Sequence, residues 1–151
     1  MSKTGASLTR KIIPPNFTAI AVMENTFSSA PTIVVVDDDP LVRRAVIDTL
    51  EAYGLGCRAH ASAEAYLKSN DADTTSCLIL DVNFPTMSGL ELQRQLTAAG
   101  YSFPIIFYSG DPRPAVEQEA RANGAADFVS KAISPTQLFE TITRALSASS
   151  G

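Results

Sequence analysis

From Thr32 onward the chain alternates between short, uninterrupted apolar runs and longer stretches in which apolar residues return every three or four positions. The runs predict strands at about 32–37 (TIVVVD), 56–60, 76–80 (CLIL before Asp81), 104–108 (PIIFY) and 126–129 (ADFV). The first, third and fourth are apolar throughout, as expected of strands covered on both faces. The stretches between and after them predict helices at about 40–53, 63–69, 89–98, 113–122 and 135–147. Asp39-Pro40 offers a cap followed by proline at the first helical position, after which Val42, Val46 and Leu50 recur at i+4. Ser88 with Glu91, and Ser134 with Gln137, have the spacing of capping boxes. Leu138, Ile142 and Leu146 form one stripe on the last helix, with Phe139 beside it. Alternating strand and helix predicts an α/β fold built on a parallel sheet. The five units fill residues 31–148 as one domain, leaving 149–151 as a tail and no stretch for an effector domain.

Residues 1–30 stand outside this pattern. They are Ser/Thr-rich and interrupted by Pro14 and Pro15, which predicts a disordered or loosely attached arm. Met23 opens a stretch, MENTFSSAPT, that would serve as an ordinary start. Lys3, Arg10 and Lys11 precede the apolar part, but the interruptions and the lack of a cleavage site argue against a signal peptide. No apolar run approaches the roughly 18 residues needed to span a bilayer, so the expected location is cytoplasmic, away from membranes. The net charge of −4 gives no basic surplus for phosphate neutralisation, which argues against nucleic-acid binding by this chain. Cys57 and Cys77 lack the spacing of a zinc site or a disulfide framework and are expected to be reduced, buried thiols.

In a parallel α/β sheet, ligands bind beyond the carboxyl ends of the strands. The residues there are polar: Asp37-Asp38 after the first run, Asp81 after the third, Ser109 after the fourth, and Lys131 just beyond the fifth. If the first and third strands are neighbours, three carboxylates converge. Such a cluster needs a cation, and an all-oxygen ligand set suits Mg²⁺. A hydroxyl and an ammonium on the other rim are donors for an incoming anion, so the set as a whole suits a phosphoryl group.

The segments VVVDDDPLVRRA, LILDVNFPTMSGLEL, IIFYSGD and GAADFVSKAISP, in this order, resemble the receiver domain of two-component response regulators from about Thr32 to Ala148. Asp38 to Asp81 spans 43 positions, Asp81 to Ser109 spans 28, and Ser109 to Lys131 spans 22, intervals similar to those of the family. The resemblance implies a flavodoxin-like, doubly wound sheet in the order 2-1-3-4-5. It implies that Asp81 accepts a phosphoryl group from a sensor histidine kinase or a histidine phosphotransfer protein. Asp38 would bind Mg²⁺ directly, Asp37 directly or through water, and the backbone carbonyl of Asn83 would be a further ligand. Ser109 and Lys131 would hold phosphoryl oxygens, and Phe128 would be the aromatic switch. The readout surface, and a candidate homodimer face, would be the fourth helix, fifth strand and fifth helix, engaging an unidentified output protein. Asn83 and Asp111 occupy positions where the family varies and where side chains influence phosphate lifetime.

Two departures stand out. The family usually has a cis proline after the lysine, where this chain has Ala132; a cis bond to a non-proline residue costs about 2.5–4 kcal/mol, so trans is expected. Phe128 replaces the usual tyrosine. Ordinary readings compete residue by residue. Asp39 is expected to be only a helix cap. Ser109 alone would be a loop hydroxyl, Lys131 alone a solvated charge, and Phe128 a core residue. His60, the single histidine, is expected to be exposed and without partners, and Asp111-Pro112 to cap the fourth helix. Among other functions, an aspartyl-phosphate phosphohydrolase would need an acid/base aspartate two positions after its nucleophile, where Asn83 stands. Turnover of outside substrates is therefore not expected. A flavodoxin-like electron carrier would need a hydroxyl-rich loop where Asp-Asp-Asp-Pro would repel FMN phosphate. An unphosphorylated interaction module would have no need of the intact Asp, Asp, Ser and Lys set. The closing SASSG resembles the start of a linker, so a receiver piece of a longer DNA-binding regulator is the remaining alternative.

Overall fold

The computed structural model describes residues 30–110 and 113–150. The arm expected over 1–30 lies, apart from Ala30, outside the described residues, as do Asp111, Pro112 and Gly151. Five strands, β1 (Ile33–Val36), β2 (Cys57–His60), β3 (Cys77–Leu80), β4 (Ile105–Ser109) and β5 (Asp127–Ser130), alternate with five α-helices. These are α1 (Pro40–Ala52), α2 (Ala63–Ser69), α3 (Gly89–Ala98), α4 (Pro114–Ala122) and α5 (Pro135–Ser150), with a 3₁₀ turn at Asp71–Asp73. All pairings are parallel and the order is β2-β1-β3-β4-β5, as the resemblance implies.

The period of two divides the apolar strand residues between two cores. Ile33, Val35, Ile79 and Ile106 face α1 and α5, packing against Val46, Leu50, Leu138, Phe139, Ile142 and Leu146. Val34, Val36, Leu78, Leu80 and Phe107 face the other three helices, packing against Tyr66, Leu92, Leu96 and Ala120. The helix starts follow the expected chemistry. Asp39 Oδ1 accepts from Leu41 N at 2.9 Å ahead of Pro40, and Ser88 Oγ accepts from Glu91 N at 3.1 Å. At α5 the capping box is complete: Ser134 Oγ accepts from Gln137 N and Gln137 Oε1 accepts from Ser134 N.

Three expectations are corrected. The cap of α4 is Arg113 rather than Asp111, because Pro114, with its preset φ, takes the first helical position. Residues 149 and 150 are not a tail but the last turn of α5, whose Ser149 Oγ still donates to Leu146 O. Cys77 is fully buried but Cys57, on the edge strand, is only half-buried. Burial nonetheless pushes both thiols up to about 12, so neither is a thiolate at neutral pH.

His60 is also not partnerless. Its Nε2 lies 2.7 Å from Oδ2 of Asp71, whose Oδ1 accepts from Arg58 at 2.8 Å. The 3₁₀ turn folds Asp71 back onto the edge strand, and Thr75 Oγ1 closes the turn by donating to Asp71 O. The His60 hydrogen bond, with the Arg58 charge, holds the Asp71 carboxyl below its usual 3.8 despite its burial. Ionised Asp71 therefore contributes stability above pH 3.8 that is lost as pH falls through the lower folded value. Asp71→Asn is expected to cost about 1–2 kcal/mol at pH 7 and to flatten the acid limb below pH 3.8. Urea melts of both proteins at pH 7 and pH 3 check this; an equal stability gap at the two pH values would contradict it.

Candidate functional site

Register explains why the carboxylates meet. Val36 of β1 is paired with Leu80 of β3, so the next residues, Asp37 and Asp81, leave the sheet side by side. Asp81 N donates to Val36 O at 3.0 Å and Asp37 N to His60 O at 3.1 Å, which extends the ladder by one residue on each strand. Asp37 is 1% exposed and Asp81 7%, whereas Asp38 is exposed. One carboxylate oxygen from each of the three lies within 4.8 Å of the others. Asp39 is outside this group: its side chain caps α1, and its N–H donates to Asp37 Oδ1 at 2.9 Å.

Lys131 reaches over from the far side. The first residue after β5, it is set by its N–H donating to Ser109 O at 2.8 Å. Its Nζ lies 2.7 Å from Asp37 Oδ2 and 3.3 Å from Asp81 Oδ2. Burial pulls this ammonium down, but the hydrogen bond to Asp37 and the charges of Asp81 and Asp37 together outweigh it and hold it above its ordinary value. Burial, and then the neighbouring charge of Asp37, hold the Asp81 carboxyl above its ordinary range; Lys131 and the Val82 N–H, 2.8 Å from Oδ1, pull the other way. The Lys131–Ala132 peptide is trans, as are all the described bonds.

Ser109 ends β4 at 1% exposure and is paired in register with Ser130. Asn83 is exposed on the loop after Asp81. Phe128 is 7% exposed and stacks on Phe107, ring centroids 5.8 Å apart.

The donor set fits a hard divalent cation. It is all oxygen, with one carboxylate oxygen from each of Asp37, Asp38 and Asp81 within 4.8 Å of the others, and one lysine cannot balance three carboxylates. Among the described residues, no other group of three acidic, histidine or cysteine side chains is close enough to hold an ion. Cavities of about 540 Å³ between the ends of α3 and α4, and of about 410 Å³ between α5 and β5, are lined by none of Asp37, Asp38, Asp81, Ser109 or Lys131. The cluster instead meets solvent through Asp38 at the carboxyl edge of the sheet, where a macromolecule can approach it.

Two residues shape the site without having been anticipated. Arg43 Nη1 donates to Asp37 O at 2.8 Å, fixing the β1–α1 loop; a cation so near a helix N-terminus, against the dipole, was the available signal. Gly89 opens α3 with its N–H donating to Val82 O at 2.8 Å. A Cβ on it would stand 2.0 Å from Asp81 O, so only glycine permits this approach. Glycine inside a helix start, where propensity disfavours it, was the corresponding signal.

Comparison with known proteins agrees with this fold. Residues 33–143 match the family model described as the response regulator receiver domain. The response regulator protein TodT of Pseudomonas putida is 33% identical over 135 residues, 89% of this chain and 60% of that protein. The transcriptional regulatory protein FixJ of Azorhizobium caulinodans is 34% identical over 112 residues, 74% of this chain and 53% of that one. The chain thus spans little more than half the length of these relatives. Among solved structures, the N-terminal part of FixJ superposes with a TM-score of 0.71 at 33% identity, covering 79% of this chain and 95% of that one. A receiver protein from Pseudomonas putida superposes with a TM-score of 0.72 at 27% identity, covering 78% and 99%.

Proposed function

Because the chain belongs to the response regulator receiver domain family, we propose that it is a phosphorylation-controlled switch whose Asp81 takes a phosphoryl group from a phosphohistidine on a sensor kinase or phosphotransfer protein. The observation that carries this reading is the position of the Asp81 carboxylate: 7% exposed, beside Asp37 and Asp38, with the Lys131 ammonium 3.3 Å away. An Asp81 carboxylate oxygen forms the new O–P bond as the P–N bond to the partner's imidazole breaks and the ring nitrogen keeps the electron pair. Asp37, Asp38 and Asp81, with the backbone carbonyl of Asn83, would hold Mg²⁺, which when bound supplies neutralising charge for the transferring group. Lys131 and Ser109 receive the phosphoryl oxygens from the β5 and β4 sides. The added charge of roughly −1.5 to −2 draws their two loops together, over the Phe128 ring at the switch position on β5. The exposed faces of α4, β5 and α5 then present the altered surface to an output partner or a second copy.

Leu41, 77% exposed on the first turn of α1, adds an apolar spot beside the acidic site where a partner's surface would meet it. Asn83 in place of an acid/base aspartate supports self-limited phosphorylation over turnover of outside substrates. No helix among the described residues is long and apolar enough to cross a membrane, in keeping with a cytoplasmic switch. The short span relative to its relatives supports a second reading of context, in which this receiver precedes a DNA-binding output domain.

Incubation with acetyl phosphate and Mg²⁺, followed by intact mass, tests the core of the reading. A single base-labile phosphoryl adduct is expected on the parent, absent in Asp81→Asn and absent when EDTA replaces Mg²⁺. An unlabelled parent, or equal labelling of Asp81→Asn, would overturn it.

A further inference from the structure

The ring of Phe107 lies between the two ends of the proposed switch. In the sheet, Leu80, Phe107 and Phe128 form one row across β3, β4 and β5. Phe107 is fully buried on the α3–α4 face, and its Cε1 comes within 3.2 Å of where a Gly89 Cβ would stand, directly under the carbonyl of Asp81. The same ring carries the stacked Phe128 ring, at 5.8 Å and 27°. One rigid ring therefore lies beside both the start of α3 next to the phosphoacceptor and the aromatic residue of β5.

Resting on the function proposed above, we infer that Phe107 is a positioning residue of the switch: it holds the Phe128 ring inward before any phosphoryl group arrives. Phe128 has no hydroxyl to be solvated on the outside, so nothing offsets the loss of its buried apolar area if it swings out. Stacked ring pairs of this geometry are worth up to about a tenfold factor in an equilibrium. The inward position of Phe128 is thus set by packing, and phosphorylation acts on a pre-set ring through the loops of Ser109 and Lys131. Shrinking Phe107 removes the stack and frees the Phe128 ring to populate an outward position.

Fluorine NMR of protein labelled with fluorophenylalanine tests this, with the Phe128 signal assigned by its loss in Phe128→Leu. In the parent, Phe128 is expected to give one buried signal with Mg²⁺ alone, and still one buried signal after beryllofluoride is added as a phosphoryl mimic. In Phe107→Leu and Phe107→Met, an exposed signal is expected to grow up to about tenfold relative to the buried one, and beryllofluoride to reverse it. A parent whose Phe128 is exposed until beryllofluoride is added would overturn the inference. So would Phe107 variants whose Phe128 stays wholly buried. Beryllofluoride moving no signal in any protein, with no adduct by intact mass, would instead reject phosphorylation at Asp81; the buried or exposed state of Phe128 in the parent would still decide the resting position.

Discussion

Replacing Lys131 by methionine is expected to lower stability at pH 7, in EDTA, by about 2–3 kcal/mol. The ammonium faces two carboxylates that are 1% and 7% exposed, at 2.7 and 3.3 Å, and methionine keeps the stem while removing the charge. Removing one partner of a fully buried pair typically costs about 3–5 kcal/mol. Here the loss is smaller because the Lys131 side chain is 22% exposed and water screens part of the interaction. The sign with pH follows from Asp81. Its folded pKa is raised, so the cost of burying its charge is absent below the unfolded value and appears as pH rises through the folded one. Without the lysine that folded value rises further. The gap between parent and variant is therefore expected to close on acidification from pH 7 toward pH 4. Urea unfolding at several pH values measures it, and a variant as stable as the parent at pH 7 in EDTA would show that Lys131 is not the counter-ion of the site. Adding Mg²⁺ is expected to restore part of the loss, since an ion that binds only the folded state stabilises it by mass action.

Gly89→Ala is expected to damage both the fold and the site. The new methyl would stand 2.0 Å from the main-chain oxygen of Asp81 and 3.2 Å from the Phe107 ring. A flexible side chain could move aside, but the backbone carbonyl of Asp81, whose N–H is held on Val36 O, cannot do so without shifting Asp81. Overpacking typically costs about 1–3 kcal/mol, and the contact here belongs at the upper end. A displacement of about 1 Å at a reacting group can cost about 100-fold in rate, so labelling of Asp81 by acetyl phosphate is expected to slow at least about tenfold. Denaturant midpoints and the time course of the mass adduct provide both readings. An alanine variant matching the parent in both would show that α3 can back away from Asp81 freely.

The two predictions draw on residues of very different legibility. Lys131 could be read from the chain, because it follows an apolar run at a fixed interval from two other polar strand ends. Gly89 was far less so, since a glycine at a helix start is only a weak signal and nothing in its neighbours announces that α3 begins in contact with the Asp81 carbonyl. Arg43 and His60 behave in the same way. Arg43 looked like one of several helix charges until its Nη1 was seen on Asp37 O. His60 looked solitary because its partner Asp71 lies eleven positions on, beyond a whole helix, and arrives through a 3₁₀ turn. The α4 cap was misplaced because two prolines, Pro112 and Pro114, compete for the helix start within three residues.

The sequence by itself determined the alternation of strands and helices, the two-sided burial of the sheet and the placement of Asp37, Asp38 and Asp81 along one edge of it. These follow from local periodicity and from the rule that residues just past parallel strands share one edge. Only the tertiary structure decided that the Lys131 ammonium bridges Asp37 and Asp81, that Gly89 abuts Asp81, and that Phe107 stacks under Phe128. Those contacts join residues 8 to 94 positions apart on at least two different elements. Their distances are set by strand register and helix seating together, neither of which is written in the residues that touch.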